Sequence, residues 1–146
     1  MRYISETKLA PIKEAMGDLY ANLEIVPADL MDKESIERAI DGATYVVHTA
    51  SPFPLMPPKD ADELVKPALE GTMAVVKAVH EKKVKRLVIT SSCIAIMDKA
   101  PEDRQLSYNE EHWSDVEHQA RVKAYYGLSK TLAEKAAWDY HGSCPE

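Results

Sequence analysis

The sequence predicts an α/β protein with a parallel sheet. Short apolar runs of strand length alternate along the chain with longer segments of helical period. A strand–helix–strand order needs crossover connections, which place parallel strands side by side with helices covering both faces of the sheet. With 146 residues, 45% of them hydrophobic, the chain can form one domain with its own core. We therefore treat residues 1–146 as a single domain.

The N-terminal part predicts two helices with a strand between them. Apolar residues recur at helical spacing over 9–20 and predict the first helix. The run 23–26 (LEIV), closed by a proline, predicts a short buried strand. The second helix is expected to begin after an N-cap at Asp32 and to end at Gly42.

The middle of the chain predicts a strand, a loop and a long helix. Residues 44–49 (TYVVHT) are rich in β-branched and aromatic side chains, which favour a strand. Four prolines within 51–59 predict a loop, because neither a helix nor a central strand tolerates that density. Apolar residues then recur at helical spacing over 62–82 and predict a long helix.

The C-terminal part predicts a third strand and a last helix. The strand is expected over 86–90 (RLVIT), and an apolar stripe indicates a helix over 124–140. Between them, the polar region 98–119 shows no clean period. Nothing in the sequence marks a second domain, an internal repeat or a low-complexity tract.

Charge and cysteine content limit the classes of function. The chain has 18 basic and 24 acidic side chains, a net charge of −6, which argues against nucleic acid as the main partner. Two cysteines cannot build a framework of disulfides, and no Cys/His spacing indicates a metal site. A reducing compartment, the cytoplasm, is expected. Neither a signal peptide nor the run of about 20 apolar residues needed to cross a bilayer is present, so no membrane is expected as a partner.

Tyr126 and Lys130 form the sharpest local pattern. Residues four apart on a helix are neighbours on one face, so the Lys130 ammonium is expected near the Tyr126 hydroxyl. A nearby cation lowers the pKa of a tyrosine from about 10 towards the operating pH, as a general acid requires. The alternative is a chance pair on a partly exposed helix face.

Hydroxyl side chains at Thr90, Ser91 and Ser92 lie at the carboxyl end of the third predicted strand. The carboxyl end of a parallel strand faces the crevice where open α/β sheets bind ligands, so a serine here is placed to bind a substrate carbonyl. The alternative is a loop serine that satisfies its own backbone. His48 is expected to be a satisfied core histidine, and Cys93 a small buried side chain.

Seven strings along the chain resemble motifs of one enzyme group. They are LAPIK at 9–13, ADL at 28–30, HTASP at 48–52, KPALEGT at 66–72, LVITSS at 87–92, YNEEHWSD at 108–115 and YGLSKTLAEKAAW at 126–138. Together they resemble the extended short-chain dehydrogenase/reductases, and within them the group of dihydroflavonol 4-reductase and cinnamoyl-CoA reductase-like enzymes.

The resemblance implies a reductase that transfers a hydride from NADP(H), with NAD(H) as the alternative, to a small carbonyl substrate. It implies that Ser92 orients the carbonyl and that Tyr126 donates the proton. Lys130 would lower the pKa of that tyrosine and bind the nicotinamide ribose. Further implied cofactor contacts are Arg2 and Lys8 at the 2′-phosphate, Asp29 and Leu30 at the adenine, and Thr49, Ala50, Ser51 and Thr90 along the cofactor, with Tyr126 and Lys130.

The resemblance also predicts an incomplete dinucleotide-binding domain. The five glycines form no G-x-G-x-x-G, the loop that binds the pyrophosphate in such enzymes. We expect a partial Rossmann-like, doubly wound sheet that lacks the first strand, the glycine-rich loop and the C-terminal substrate domain, with impaired cofactor binding. Open sheet edges recruit other strands. The alternative function is therefore a non-catalytic interaction module that associates with itself or with another chain through those edges.

Overall fold

The computed structural model describes residues 5–53, 56 and 58–144. Over these residues the chain forms helices α1–α6 and strands β1 and β2. In chain order they are α1 (Glu6–Met16), α2 (Lys33–Ile40), β1 (Tyr45–His48), α3 (Asp62–Glu81), β2 (Arg86–Ile89), α4 (Ile94–Met97), α5 (Val116–Arg121) and α6 (Tyr125–Ser143). Two 3₁₀ segments lie at Gly17–Asn22 and Pro101–Asp103. The predicted α/β class is confirmed.

The two strands pair in parallel, with Val46 opposite Leu87 and Val47 opposite Val88. Helix α3 is the crossover between them, as the strand–helix–strand order predicted. Val46 and Leu87 pack against the core, whereas Tyr45, Val47 and Val88 are 67%, 66% and 50% exposed. The prediction of a sheet covered on both faces is wrong for the part of the chain that the structure describes, because the helices that follow the strands pack on one face.

The core lies between α2, α3 and the covered face of the sheet. Its buried side chains come from one face of each helix: Ile36, Ile40, Val75, Ala78 and Val79. Helix α2 begins as predicted, because the Asp32 carboxylate accepts a hydrogen bond from the Ser35 N–H at 3.1 Å. Gly42, at φ +74°, then turns the chain from α2 towards β1.

The N-terminal predictions are only partly correct. The α-helix ends at Met16 instead of continuing to residue 20, because Gly17 adopts φ +52° and the chain continues as a 3₁₀ segment. The predicted strand at 23–26 is wrong. A strand needs a hydrogen-bonded neighbour, and the ladder that the described residues form joins β1 to β2 alone. Its apolar side chains Leu23, Ile25 and Val26 are 40%, 36% and 45% exposed.

The polar region 98–119 folds around α5 and leads into α6. The Asp115 carboxylate caps α5 by accepting a hydrogen bond from the His118 N–H at 2.9 Å. Lys123, at φ +59°, makes the turn between α5 and α6. Helix α6 packs along α3. Within the described ranges, no helix combines the length and the apolar character needed to cross a membrane.

Candidate active site

Tyr126 and Lys130 lie on adjacent turns of α6, as their spacing predicts. The Lys130 ammonium nitrogen is 5.9 Å from the centroid of the Tyr126 ring, within the range of a cation–π interaction. Lys130 is only 8% exposed, and this burial lowers the pKa of its ammonium group. The alternative, a chance pair on an exposed helix face, would leave both side chains solvated. The burial of Lys130 disagrees with that alternative.

His48 connects this pair to the sheet. It is the last residue of β1 and is 7% exposed, as expected for a core histidine. Burial, followed by the nearby positive charge of Lys130, lowers the pKa of His48. The carboxyl end of β1 therefore lies near the positive charge of Lys130, and the neutral form of the histidine is favoured there.

Ser92 follows β2 and leads into α4. Its hydroxyl oxygen accepts a hydrogen bond from the Ile94 N–H at 3.3 Å, and no described residue accepts the hydroxyl proton. Helix α4 packs against α6, and the Ile94 side chain lies beside Gly127, the neighbour of Tyr126. The fold thus brings the segment after Ser92 onto the first turn of the helix that carries Tyr126 and Lys130.

Sequence reasoning missed two further contacts of this region. The Ser91 hydroxyl donates a hydrogen bond to the Glu134 carboxylate, which joins the end of β2 to α6. The Phe53 ring stacks edge-to-face on Tyr126, with centroids 5.4 Å apart and planes at 85°. Both connect residues distant in sequence, so no local pattern could reveal them. Cys93 is exposed, so its prediction as a buried side chain is wrong.

Four residues of the implied cofactor surface follow the two strands. Thr49, Ala50 and Ser51 continue from β1, and Thr90 continues from β2. The Thr90 N–H donates a hydrogen bond to the His48 carbonyl at 2.9 Å, so the two segments leave the sheet side by side. Thr49, Ala50 and Thr90 are exposed, and Ser51 is half-buried. These residues lie at the carboxyl ends of the two parallel strands, where the sequence predicts the ligand crevice.

The remaining cofactor candidates make local contacts. The Asp29 carboxylate accepts a hydrogen bond from the Met31 N–H at 2.9 Å. The Leu30 side chain packs against Gly71 and the core, which leaves its main chain for any ligand contact. Lys8 is exposed on α1, and Arg2 lies outside the described residues.

The groups at the crevice suit a polyhydroxylated ligand. Lys130, whose side chain is mostly buried, supplies an ammonium group that forms no ion pair with any described residue. Thr49, Ser51 and Thr90 add hydroxyls that both donate and accept hydrogen bonds. A ribose offers the matching hydroxyl groups, so the donor set fits the sugar of a nicotinamide cofactor. The described residues hold no cluster of three or more His, Cys, Asp or Glu side chains suited to a metal ion.

Comparison with known proteins identifies the family. The model of the 3-beta hydroxysteroid dehydrogenase/isomerase family matches residues 7–143. The chain belongs to this family. The family relatives include reductases of the group that the sequence motifs predicted. The chain is 37% identical over 137 residues to tetraketide alpha-pyrone reductase 1 of Arabidopsis thaliana, covering 93% of this chain and 42% of the relative.

Two further similarities support the same conclusion about the fold and the group. The chain is 37% identical over 139 residues to cinnamoyl-CoA reductase 2 of Medicago truncatula, covering 95% of this chain and 40% of that protein. The crystal structure of Gre2 from Candida albicans in complex with NADPH matches with a TM-score of 0.75 and 28% identity, over 97% of this chain and 45% of that one. The chain spans less than half the length of these proteins.

Proposed function

We propose that this chain carries the carbonyl-reducing site of an NADP(H)-dependent oxidoreductase, with NAD(H) as the alternative cofactor. The carrying observation is the mostly buried Lys130 side chain beside Tyr126, on the helix packed against the segment that follows Ser92. The family members described above are named as reductases, and Gre2 is seen with NADPH. These relatives support a reduction rather than another use of the same side chains.

The three polar side chains have separate tasks in this proposal. The Ser92 hydroxyl, whose oxygen already accepts the Ile94 N–H, donates a hydrogen bond to the substrate carbonyl oxygen and polarises it. Tyr126 donates its proton to that oxygen as the carbonyl carbon is reduced. The positive charge of Lys130 favours the phenolate that remains, and its ammonium group binds the ribose hydroxyls. The bound nicotinamide supplies the hydride.

The substrate is proposed to be a small organic carbonyl compound. The Phe53 ring, 74% exposed and stacked on Tyr126, forms an apolar wall beside the proton donor. Such a wall favours a carbonyl group attached to an apolar or aromatic body. The two free cysteines fit a reducing compartment, so we place the protein in the cytoplasm.

Cofactor affinity is expected to be low in the 146-residue chain. Its five glycines form no G-x-G-x-x-G, the loop that binds the pyrophosphate. Without that loop its phosphate contacts are missing, and each charge-assisted hydrogen bond to a phosphate contributes about 1.5–3 kcal/mol to binding. We propose that Arg2 and Lys8 meet the 2′-phosphate and that Asp29 and Leu30 hold the adenine. Assays should therefore use millimolar NADPH.

The test compares two neighbouring tyrosines of α6. Turnover of a panel of aromatic and aliphatic aldehydes with NADPH is followed by the loss of cofactor absorbance. We expect Tyr126→Phe to reduce the rate by about 10²-fold or more, because the general acid is lost. The matched variant Tyr125→Phe removes the neighbouring hydroxyl and should retain the rate within about twofold. Equal losses in both variants, or no turnover by the parent chain, would contradict the proposal.

A second candidate function, an interaction module, is favoured by the exposed sheet face. Tyr45, Val47 and Val88 present apolar side chains there, and a groove of 1110 Å³ lined by Leu87 and Ile89 runs beside β2. Exposed apolar patches and free strand edges are typical of association sites. We take a second copy of the chain as the partner.

Sedimentation at increasing protein concentration tests this second candidate. Self-association that Val47→Lys weakens would support it, with Val122→Lys, an exposed valine elsewhere, as the control. A monomer at every concentration would exclude association between copies.

A further inference from the structure

Among the described residues, Gln119 has the largest fully buried side chain, and its amide is hydrogen-bonded on both sides. It is 0% exposed. Its Nε2 donates to the Ile94 carbonyl oxygen at 3.3 Å and to the Asp98 carboxylate at 3.2 Å. Its Oε1 accepts a hydrogen bond from the Thr131 hydroxyl at 3.0 Å. A buried amide with both ends bound holds its partners at fixed separations, because breaking any one bond leaves a desolvated polar atom.

The partners of Gln119 belong to the two segments that carry the candidate active site. On one side, Ile94 also donates its N–H to the Ser92 hydroxyl oxygen at 3.3 Å. On the other side, the Thr131 hydroxyl lies 2.9 Å from the Gly127 carbonyl oxygen and shares its proton between that oxygen and the amide. Gly127 is the residue after Tyr126. The side chain of Gln119 therefore links the segment after Ser92 to the helical turn that holds Tyr126.

The start of α6 depends on Gln119 in two further ways. Helix α6 has no side-chain cap, and the N–H of Ala124 at its N-cap donates to the Gln119 carbonyl at 2.8 Å. A Cβ atom at Gly127 would lie 2.8 Å from Gln119 Nε2 and 3.2 Å from the Ile94 side chain. Glycine at this position therefore allows the first turn of α6 to pack closely against the Gln119 amide.

We propose that Gln119 is a positioning residue that fixes the Tyr126 hydroxyl relative to Ser92. The inference rests on the proposed function, because the separation of these two hydroxyls matters only if they act on one carbonyl. Gln119 itself does not touch the substrate. It acts through Ile94 on one side and through Thr131 and Gly127 on the other.

The test uses isosteric variants of the 146-residue chain and two readouts. Gln119→Met and Thr131→Val retain shape but remove hydrogen bonds, whereas Thr131→Ser keeps the hydroxyl and is the conservative control. The first readout is the ¹⁹F resonance of Tyr126 in fluorotyrosine-labelled protein, assigned with Tyr126→Phe. The second is kcat and KM for aldehyde reduction by NADPH.

We expect Gln119→Met and Thr131→Val to shift the Tyr126 resonance and to lower kcat by about tenfold or more, with KM within about twofold, because a misplacement of about 1 Å is costly to catalysis. Thr131→Ser should restore both readouts. An unmoved Tyr126 resonance in both isosteric variants would overturn the inference, as would a shifted resonance with unchanged kcat. If the parent chain has no turnover, the proposed function fails, and the resonance still shows whether Gln119 places Tyr126.

Discussion

Residues 5–31 and residues 32–144 differ in how far the fold buries them. No described side chain of the first region is buried, although it contains a helix and the apolar run 23–26. The second region holds the core and the fully buried polar side chains of Gln119, Ser129 and Thr131. The candidate proton-donating residues all lie in the second region, whereas Lys8 and Asp29 lie in the first. The proposed site therefore draws on residues of an exposed region and of a buried one.

The largest expected effect is on the free energy of unfolding, when one apolar residue from each region is replaced by alanine. Ile36→Ala removes a buried core side chain and should lower the free energy of unfolding by about 2–4 kcal/mol. Ile12→Ala removes one that is 42% exposed and should cost less than about 0.5 kcal/mol. Urea unfolding followed by circular dichroism measures both. Similar losses would mean that α1 is packed and that the two regions do not differ.

Two helical glycines compare a packed position in α3 with an open position near the end of α6. A Cβ atom at Gly71 would lie 2.9 Å from the Leu30 Cβ, so Gly71→Ala should lower stability by about 1–2 kcal/mol. A Cβ atom at Gly142 would meet nothing within 4 Å beyond its chain neighbours and the backbone of its own helix, and Gly142→Ala should leave stability unchanged or raise it by up to about 1 kcal/mol. Thermal unfolding distinguishes the two, and a stable Gly71→Ala would show that Leu30 is not held against α3.

The smallest expected effect concerns the buried charge of the packed region. Burial lowers the pKa of Lys130 below its ordinary value of 10.5, so at alkaline pH below that value the unfolded chain binds more protons at this residue than the folded one. The contribution of Lys130 to stability should therefore rise with pH over this range. Lys130→Met should abolish that rise and raise stability at neutral pH by at most about 1 kcal/mol.

The matched control for this last prediction is Lys77→Met, which alters an exposed lysine on α3 and should leave the pH dependence unchanged. The measurement is urea unfolding between pH 7 and pH 10. A Lys130→Met variant with the same pH dependence of stability as the parent chain would contradict the assignment of Lys130 as a desolvated lysine.

The sequence predicted the elements whose signal is local. Periodicity located α3 and α6, and two β-branched runs located the parallel strands with their crossover. It failed at 23–26, because apolar composition does not say whether a partner strand is present. Spacing and motif named Ser92, Tyr126 and Lys130 as site residues, and their roles stay a prediction. Sequence reasoning missed Gln119 and Phe53, because their roles depend on contacts with residues far along the chain.

The central claim is that these residues reduce a carbonyl by hydride transfer with proton donation from Tyr126. Incubation with an aromatic aldehyde and NADPH deuterated at the transferred position, followed by mass spectrometry of the alcohol, tests it most directly. We expect the parent chain to form alcohol with one deuterium on the former carbonyl carbon, and Tyr126→Phe to form almost none of this labelled alcohol. Alcohol without deuterium, or equal amounts of labelled alcohol from both proteins, would contradict the claim.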